Sequence, residues 1–191
     1  MRNFLAVRGN TGLASMTDET LIEQMKAGDD GAFRSIYGRY RDPLFRFGYR
    51  LTGSEETAED MVHDAFLGLF RGGFDARRAA LKTYLYGAMR NQARKRFRHS
   101  GREEAGDTDY SDERAGPLEV LLSAETGEQV RRAVSGLPLA QREALILFEY
   151  EELSLEEIAQ IVEAEVGAVK ARLYRARDGL RKCLVGREVT K

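Results

Sequence analysis

The chain of 191 residues contains no tryptophan, three prolines, two histidines and one cysteine. The single Cys183 excludes an internal disulfide and is typical of a reducing cytoplasm, and we expect its thiol to be packed rather than reactive. The two histidines (His63 and His99) lie far apart, and there is no cysteine pair and no nucleophile beside a base. We therefore predict no metal, no cofactor and no catalytic residue, and we do not expect an enzyme.

Long apolar runs are also missing. No segment approaches the roughly 18 apolar residues that a membrane span needs, so we predict no membrane insertion. The first fifteen residues hold one short apolar run, Phe4 to Val7, which is too short for a signal peptide. We expect residues 1–16 to form a loose extension, with Met16 as a second candidate for the first residue of the chain.

The charges are unevenly distributed, although the net charge is only −1. Arg71 to Arg102 holds ten basic residues against one acid, and Glu103 to Glu128 holds nine acids against one base. Glu149 to Glu165 holds seven acids and no base, and the sign reverses again from Val166. Two basic blocks separated by an acidic connection predict two modules that each meet a polyanion. The alternative is that these charges only keep the helices soluble.

Apolar residues recur at helical spacing, and we find no segment with the alternation of a strand. We predict an all-α protein with two small helical domains joined by a flexible linker, the second being a helix-turn-helix domain. The predicted boundaries are 17–99 for the first domain, 100–127 for an acidic linker and 128–185 for the second domain. Residues 118–137 are predicted to be helical with an interruption near Gly127.

Local signals place the helices of the first domain. We predict helices over Thr17 to Ala27 and Thr57 to Phe70, and a third helix that begins at Lys82. Asp29 is expected to cap a further helix that carries an aromatic core stripe. Pro43 lies within that helix and is expected to kink it or to start a new turn.

The most informative segment is residues 153–182, LSLEEIAQIVEAEVGAVKARLYRARDGLRK. Ser154 and Glu157 have the spacing of a capping box at the start of a short helix. A second apolar stripe begins at Val166 after a short corner, and its opposite face is basic. A short helix, a tight corner and a second helix with a cationic face are typical of a helix-turn-helix, whose second helix enters the major groove of DNA. A solvated basic helix in an ordinary helical hairpin is the alternative.

The residues of this segment resemble the C-terminal helix-turn-helix of the extracytoplasmic-function (ECF) group of bacterial sigma-70 factors. The matching string is EEIAQIVEAEVGAVKARLYRAR. The chain departs from the family at the corner, where Glu163 replaces the usual glycine, so we expect a less tight turn. Ala168 and Ala171 also replace the usual threonine and serine.

Three further segments resemble this family in the expected order: AGDDGAFRSIYGRYRDPLFRFGYRLTG, TAEDMVHDAFLGLF and KTYLYGAMRNQARKRFR. The resemblance implies that the first domain binds core RNA polymerase and the promoter −10 element, and that the second binds the −35 element. It implies polymerase contacts by Glu59, Asp60, His63, Asp64 and Leu67. It implies −10 contacts by Phe74, Arg77, Arg78, Lys82, Tyr86, Arg90, Asn91, Arg94 and Lys95. It implies −35 contacts by Gly167, Ala168, Lys170, Ala171, Arg172, Tyr174, Arg175 and Arg177.

The expected partners are therefore core RNA polymerase and promoter DNA, with an anti-sigma protein as a further candidate. Two other hypotheses remain at this stage. The chain could be a sigma-like adaptor that binds an anti-sigma protein without binding DNA, or an ordinary helix-turn-helix regulator that never contacts polymerase. We expect Tyr84, which stands where the family often has tryptophan, to be a core residue.

Overall fold

The computed structural model describes the backbone of residues 16–100 and 118–185 and the side chains of residues 16–98 and 127–184. Within these ranges every regular element is an α-helix, so the predicted all-α class is confirmed. The chain begins with α1 (Asp18–Lys26) and α2 (Asp30–Thr52). Asp29 caps α2 as predicted, because its Oδ1 accepts a hydrogen bond from the amide of Gly31 at 2.7 Å.

The helix α2 continues through Pro43 to Thr52, so of the two expected outcomes at this proline, a kink or a restart, the restart does not occur. A proline inside a helix removes one backbone hydrogen bond and crowds the preceding turn. Leu44 and Phe47 on the same helix are completely buried. Packing of this stripe against the rest of the domain outweighs the local preference of the proline to break the helix.

Two longer helices complete the first module, α3 (Glu55–Phe70) and α4 (Leu81–Ser100). Helix α3 begins before the predicted Thr57, because the Ser54 hydroxyl accepts a hydrogen bond from the Thr57 amide at 3.1 Å. Helices α1 to α4 form a bundle in which α2 packs against the other three. Its core contains fully buried side chains from α3 and α4, among them Met61, Leu69, Leu85 and Met89.

The second module contains α5 (Leu118–Ser135), α6 (Leu139–Glu149), α7 (Leu155–Ile161) and α8 (Val166–Val185). Helix α5 runs without a break past Gly127, so the predicted interruption there is wrong. It begins inside the range that the sequence assigned to the linker. Residues 101–117 of that range lie outside the described residues, as do residues 1–15 of the predicted extension over residues 1–16.

Helices α7 and α8 form the predicted helix-turn-helix. The capping box is confirmed, because the Ser154 hydroxyl accepts from the Glu157 amide at 3.1 Å and the Glu157 carboxylate accepts from the Ser154 amide at 2.8 Å. At the corner, Glu163 adopts a φ of 51°, in the left-handed region that favours glycine. The expected loosening of the corner is therefore absent, and a glutamate holds a conformation that costs roughly 1 kcal/mol.

The two modules pack against each other. Helix α4 contacts α7, and α2 contacts α6. Arg142 on α6 is only 4% exposed, and it donates to the carbonyl oxygens of Leu51 at 3.0 Å and Leu137 at 3.1 Å. Because Leu51 lies in the last turn of α2, this guanidinium is placed at the negative end of the helix dipole. The contact joins the modules at a buried position.

Cys183 is exposed near the end of α8, so the prediction that its thiol is packed is wrong. Among the described helices, none combines the length and apolar character needed to cross a membrane.

Candidate nucleic-acid and protein interfaces

The exposed face of α3 carries the residues that the sequence assigned to a protein partner. Their side chains are solvent-exposed apart from the half-buried Leu67: Glu59, Asp60, His63, Asp64 and Leu67. The opposite face of α3 holds Met61, Val62 and Ala65 in the core. The structure therefore places all five candidates on one acidic surface, which the burial of the other face fixes in orientation.

An aromatic patch continues this surface beyond the acidic residues. Phe70 is 67% exposed and Tyr37 is 38% exposed. The ring of Phe70 meets Phe33 edge-on with centroids 5.9 Å apart, and Tyr37 lies 4.8 Å from Phe66. Tyr37 and Phe33 belong to the aromatic stripe of α2 that was predicted to be core, whereas the sequence assigned no role to Phe70. Helical spacing from His63 and Leu67 to Phe70 was the available signal that this ring shares the exposed stripe.

Part of the predicted −10 set lies on open surface. Arg77, Arg78, Asn91 and Lys95 are exposed. Arg77 donates two hydrogen bonds to the carboxylate of Asp75 at 3.1 Å, and these bonds hold the pKa of that carboxyl below its usual range. The loop before α4 therefore presents its cations beside a single acid.

Two aromatic residues near this loop pack against each other. Phe74 is only 7% exposed, and its ring centroid lies 5.4 Å from that of Tyr84. Tyr84 is half-buried, as expected for a core residue, and burial raises its pKa. Phe74 is accordingly a packing residue in this arrangement rather than an exposed platform for a base.

The other members of the predicted −10 set face the second module. The hydroxyl of Tyr86, which is 2% exposed, donates to Glu151 at 2.8 Å, and burial raises the pKa of this tyrosine. Lys82 lies 3.6 Å from the carboxylate of Glu157 on α7. Both side chains were predicted as −10 contacts, but their partners in the structure lie more than 60 residues away in the chain.

Arg90 and Arg94 meet a buried carboxylate on α6. Nε of Arg94 donates to Glu143 at 2.8 Å, and Nε of Arg90 donates to the same carboxylate at 3.3 Å. Arg90 also donates to the carbonyl oxygen of Val162, at the end of α7, at 3.1 Å. Glu143 was not among the predicted functional residues. The signal for it was a charged pair, Arg142 and Glu143, inside a helix that is otherwise apolar on several faces.

The predicted −35 residues lie along α8. Val169, Leu173 and Ala176 hold this helix on the module core. Most of the candidates project on the opposite side and are exposed: Gly167, Ala168, Lys170, Ala171, Tyr174, Arg175 and Arg177. Tyr174 is 75% exposed, and such an aromatic ring on a cationic helix is suited to contact with a nucleic-acid surface.

Two arginines of α8 are engaged within the chain. Arg177 donates to Glu149 at 2.6 Å, and its guanidinium lies 5.4 Å from the Phe148 ring centroid. Arg172 is half-buried, and burial lowers the pKa of its guanidinium, while the nearby Glu143 acts in the opposite direction. The open cationic surface of α8 is thus formed mainly by Lys170 and Arg175.

A helix-turn-helix whose second helix exposes cations is the architecture of a DNA-binding transcription protein. Comparisons with known proteins narrow this class. Family models of sigma-70 region 2 and of sigma-70 region 4 match residues 36–103 and 127–180, respectively.

The chain is 33% identical over 177 residues to the ECF RNA polymerase sigma factor SigW of Bacillus subtilis, covering 85% of this chain and 94% of that protein. It is 31% identical over 179 residues to the ECF RNA polymerase sigma-E factor of Escherichia coli K12, covering 86% and 93%.

Solved structures agree. The sigma factor RpoE of Bartonella quintana, in complex with the anti-sigma factor NepR, matches with a TM-score of 0.60 at 27% identity, covering 83% of this chain and 98% of that chain. CnrH, in complex with the cytosolic domain of CnrY, shares the fold with a TM-score of 0.65 at 24% identity, covering 88% and 97%. The chain belongs to the ECF group of the sigma-70 family, the factors that bring RNA polymerase to promoters and direct transcription initiation.

Proposed function

We propose that the first module binds core RNA polymerase through α3 and the −10 element through α4 and its preceding loop, while α8 binds the −35 element. The observation that carries this proposal is the separation of charge within one chain. An exposed acidic face on α3 and an exposed cationic face on α8 lie on different modules of a protein of the ECF sigma group. Opposite charges suit two different partners, a basic protein surface and DNA.

The proposed polymerase-binding surface consists of Glu59, Asp60, His63, Asp64 and Leu67, extended by the ring of Phe70. Its acids are exposed, so a basic partner can approach them without first displacing core residues. Asp60 is already 3.3 Å from Arg96, but at a solvent-exposed site such a pair is worth less than about 1 kcal/mol and yields readily to a partner. The exposed aromatic ring supplies the kind of apolar anchor on which interfaces depend.

Charge reversal tests this surface. Replacing Asp60 and Asp64 with Arg is expected to abolish binding to core polymerase while leaving the helical circular dichroism unchanged, because both side chains are exposed. A matched control reverses two exposed acids elsewhere in the module, Glu23→Arg and Asp42→Arg, and is expected to bind normally. Unchanged binding by the Asp60 and Asp64 variant would remove α3 from the proposal.

For the −10 element, we propose two groups of contacts. Arg77, Arg78, Asn91 and Lys95 are already open and can meet the DNA backbone first, where each neutralised phosphate adds to a steep salt dependence. Tyr86 and Arg90 are buried against the second module, and Lys82 and Arg94 are paired with its carboxylates, so we propose that these four side chains contact DNA after the modules separate.

For the −35 element, Lys170 and Arg175 are the exposed cations that we propose to contact DNA from α8, with Tyr174 between them on the helix. Ala168 and Ala171 present methyl groups where the family usually has hydroxyls. Such small apolar side chains can contact a thymine methyl in the major groove but cannot donate to phosphate. The specificity of this helix is therefore proposed to depend on the cations and on the tyrosine.

We further propose that the chain acts in the cytoplasm with RNA polymerase, which performs the bond-forming chemistry, and that it has no catalytic activity of its own. An anti-sigma protein is a proposed partner, since the Bartonella relative was solved with one. The exposed cations of α8 favour DNA binding over the adaptor hypothesis. The acidic face of α3, which a regulator acting without polymerase does not need, favours the sigma function over an ordinary regulator.

A further inference from the structure

A buried carboxylate lies between the two modules. Glu143 on α6 has no exposed side-chain surface. Arg94 of α4 binds both of its oxygens, through Nε at 2.8 Å and Nη2 at 3.1 Å, and Nε of Arg90 adds a third hydrogen bond at 3.3 Å. The fork of Arg94 across the two oxygens is the geometry with which arginine also binds phosphate.

A third arginine faces the same carboxylate from the second module. Burial lowers the pKa of the Arg172 guanidinium on α8. The negative charge of Glu143 raises this pKa, whereas the positive charges of Arg94 and Arg90 lower it. Nη1 of Arg172 is buried and has no hydrogen-bond partner among the described side chains. One carboxylate therefore binds two arginines of the proposed −10 surface and attracts a third arginine that belongs to the proposed −35 surface.

The surrounding contacts follow the same pattern, with donors from the first module and acids from the second. Lys82 pairs with Glu157 at 3.6 Å. Glu151 accepts from Tyr86 at 2.8 Å and pairs with Arg50 at 3.4 Å. These glutamates belong to the acidic run over residues 149–165. In the structure Glu151 and Glu157 contact α4 and Glu163 lies 3.7 Å from Arg90, whereas Glu149 pairs with Arg177 of α8.

The closed arrangement is too small for both promoter elements. Positions −10 and −35 are 25 base pairs apart by definition, which is roughly 85 Å along B-DNA at about 3.4 Å per base pair. A compact chain of this length has a radius of gyration of about 16 Å and thus a diameter of roughly 40 Å. The two modules must separate before both surfaces reach DNA at once.

We propose that Glu143, supported by Glu151 and Glu157, acts as an internal substitute for DNA phosphate that keeps the free chain closed. In this state Arg90, Arg94 and Arg172 are withheld from the promoter. The inference rests on the proposed function of these arginines, but the closed state itself can be measured without DNA or polymerase.

The physics of buried ion pairs suits a contact that must open. The attraction inside a protein is largely offset by the loss of hydration of both charges, so the closed state is favoured only modestly over a separated, hydrated one. Removal of the carboxylate alone leaves the buried arginine without a counter-charge and therefore favours opening. When the modules separate, water and DNA phosphates replace the carboxylate around each arginine. A polyanion or a polymerase that binds the open state then shifts the population by mass action.

Carbodiimide crosslinking tests the closed state, because this reagent joins a lysine amine directly to a neighbouring carboxylate. In the full chain, peptide mapping by mass spectrometry is expected to find a Lys82–Glu157 crosslink. Glu143→Gln, which keeps the size of the side chain but removes its charge, is expected to lower the yield at least about threefold. The matched control Glu149→Gln removes an ion pair that lies within the second module, and it is expected to crosslink like the wild type.

The same variants are then titrated with duplex promoter DNA in the absence of polymerase. Because the apparent affinity falls with the fraction of open chain, Glu143→Gln is expected to bind at least about tenfold more tightly than the wild type. Arg50→Ala weakens the interface from α2 without touching the arginine cluster. It is expected to change crosslinking and affinity in the same directions, which covers the case in which Glu143→Gln misfolds by circular dichroism.

An absent Lys82–Glu157 crosslink in the wild type would overturn the closed state. Equal crosslinking in the wild type, Glu143→Gln and Arg50→Ala would overturn the role of the interface charges. A lower yield without tighter DNA binding would overturn the withholding of the arginines. Failure of the proposed function has a separate signature, the absence of transcription initiation by the wild-type chain with core polymerase.

Discussion

Two glycines in α2 provide a quantitative test of the packing that orients the α3 surface. Gly48 is buried where α2 crosses α3. A Cβ atom at this position would lie 3.2 Å from Cβ and 3.3 Å from Cα of Ala58, and 2.9 Å from the terminal methyl of Met89. Gly38 lies in the same helix, and a Cβ atom there would meet no atom within 4 Å. The same substitution therefore has different consequences at the two positions.

Gly38→Ala is expected to stabilise the protein by about 0.5–1 kcal/mol, because alanine is the better helix former by roughly that amount. At Gly48 the same gain is opposed by overpacking, which typically costs 1–3 kcal/mol. The methyl of Met89 can rotate away, but Cα and Cβ of Ala58 can move only together with the backbone of α3. Buried Met61 and Leu69 hold that helix in the core. Gly48→Ala is therefore expected to destabilise the protein by about 1 kcal/mol.

Urea unfolding followed by far-ultraviolet circular dichroism measures this difference, which is expected to be about 2 kcal/mol between the variants at an unchanged slope. Because α3 must shift to accommodate the new methyl group, Gly48→Ala is also expected to bind core polymerase more weakly than the wild type. Gly38→Ala is expected to bind it with unchanged affinity. Equal stabilisation by both substitutions would show that α3 moves freely on α2, and that the core does not orient the proposed polymerase-binding surface.

Three further outcomes are expected. Hydrogen bonding by the Ser154 amide, with a smaller contribution from Lys82, lowers the pKa of Glu157. This carboxylate therefore stabilises the fold above its unfolded pKa of about 4.5, and its contribution is lost as the pH falls through the folded pKa. The difference in melting temperature between the wild type and Glu157→Gln is accordingly expected to shrink below about pH 4, and a constant difference would argue against the charge. Glu163→Gly is expected to raise stability in urea by about 0.5–1 kcal/mol, since glycine tolerates the left-handed corner, whereas a loss would mean that its side chain contacts dominate. Lys170→Ala is expected to weaken −35 fragments by roughly 1–3 kcal/mol in a binding titration if the lysine reads a base, and an equal loss on scrambled DNA would limit it to phosphate contact.

The sequence predicted the local features of the fold well, because they depend on residues close together in the chain. The Asp29 cap and the capping box of Ser154 and Glu157 need only three or four residues each, and both are present as predicted. Neither the restart that was one alternative at Pro43 nor the interruption expected near Gly127 is present. At Pro43, burial of the surrounding helix outweighs the local preference of the proline. For α5 the propensity of a single glycine was a weak guide.

The contacts between the modules could not be predicted from the sequence. Arg90 and Arg94 meet Glu143 across about fifty intervening residues, in a chain with 30 basic and 31 acidic residues that offers very many such pairs. Periodicity identifies the face on which a charge lies but does not identify its partner. Helix α6 carried the one usable signal, because a helix that is apolar on several faces buries its charged residues, and buried charges require partners.

Run-off transcription with the purified chain, core RNA polymerase and genomic DNA fragments tests the central claim most directly. Transcripts with defined 5′ ends are expected only when the chain is present, and they are expected to disappear when Asp60 and Asp64 are replaced with Arg. Transcription that is indifferent to the chain, with no inhibitor present, would contradict the proposal that it guides the polymerase to promoters.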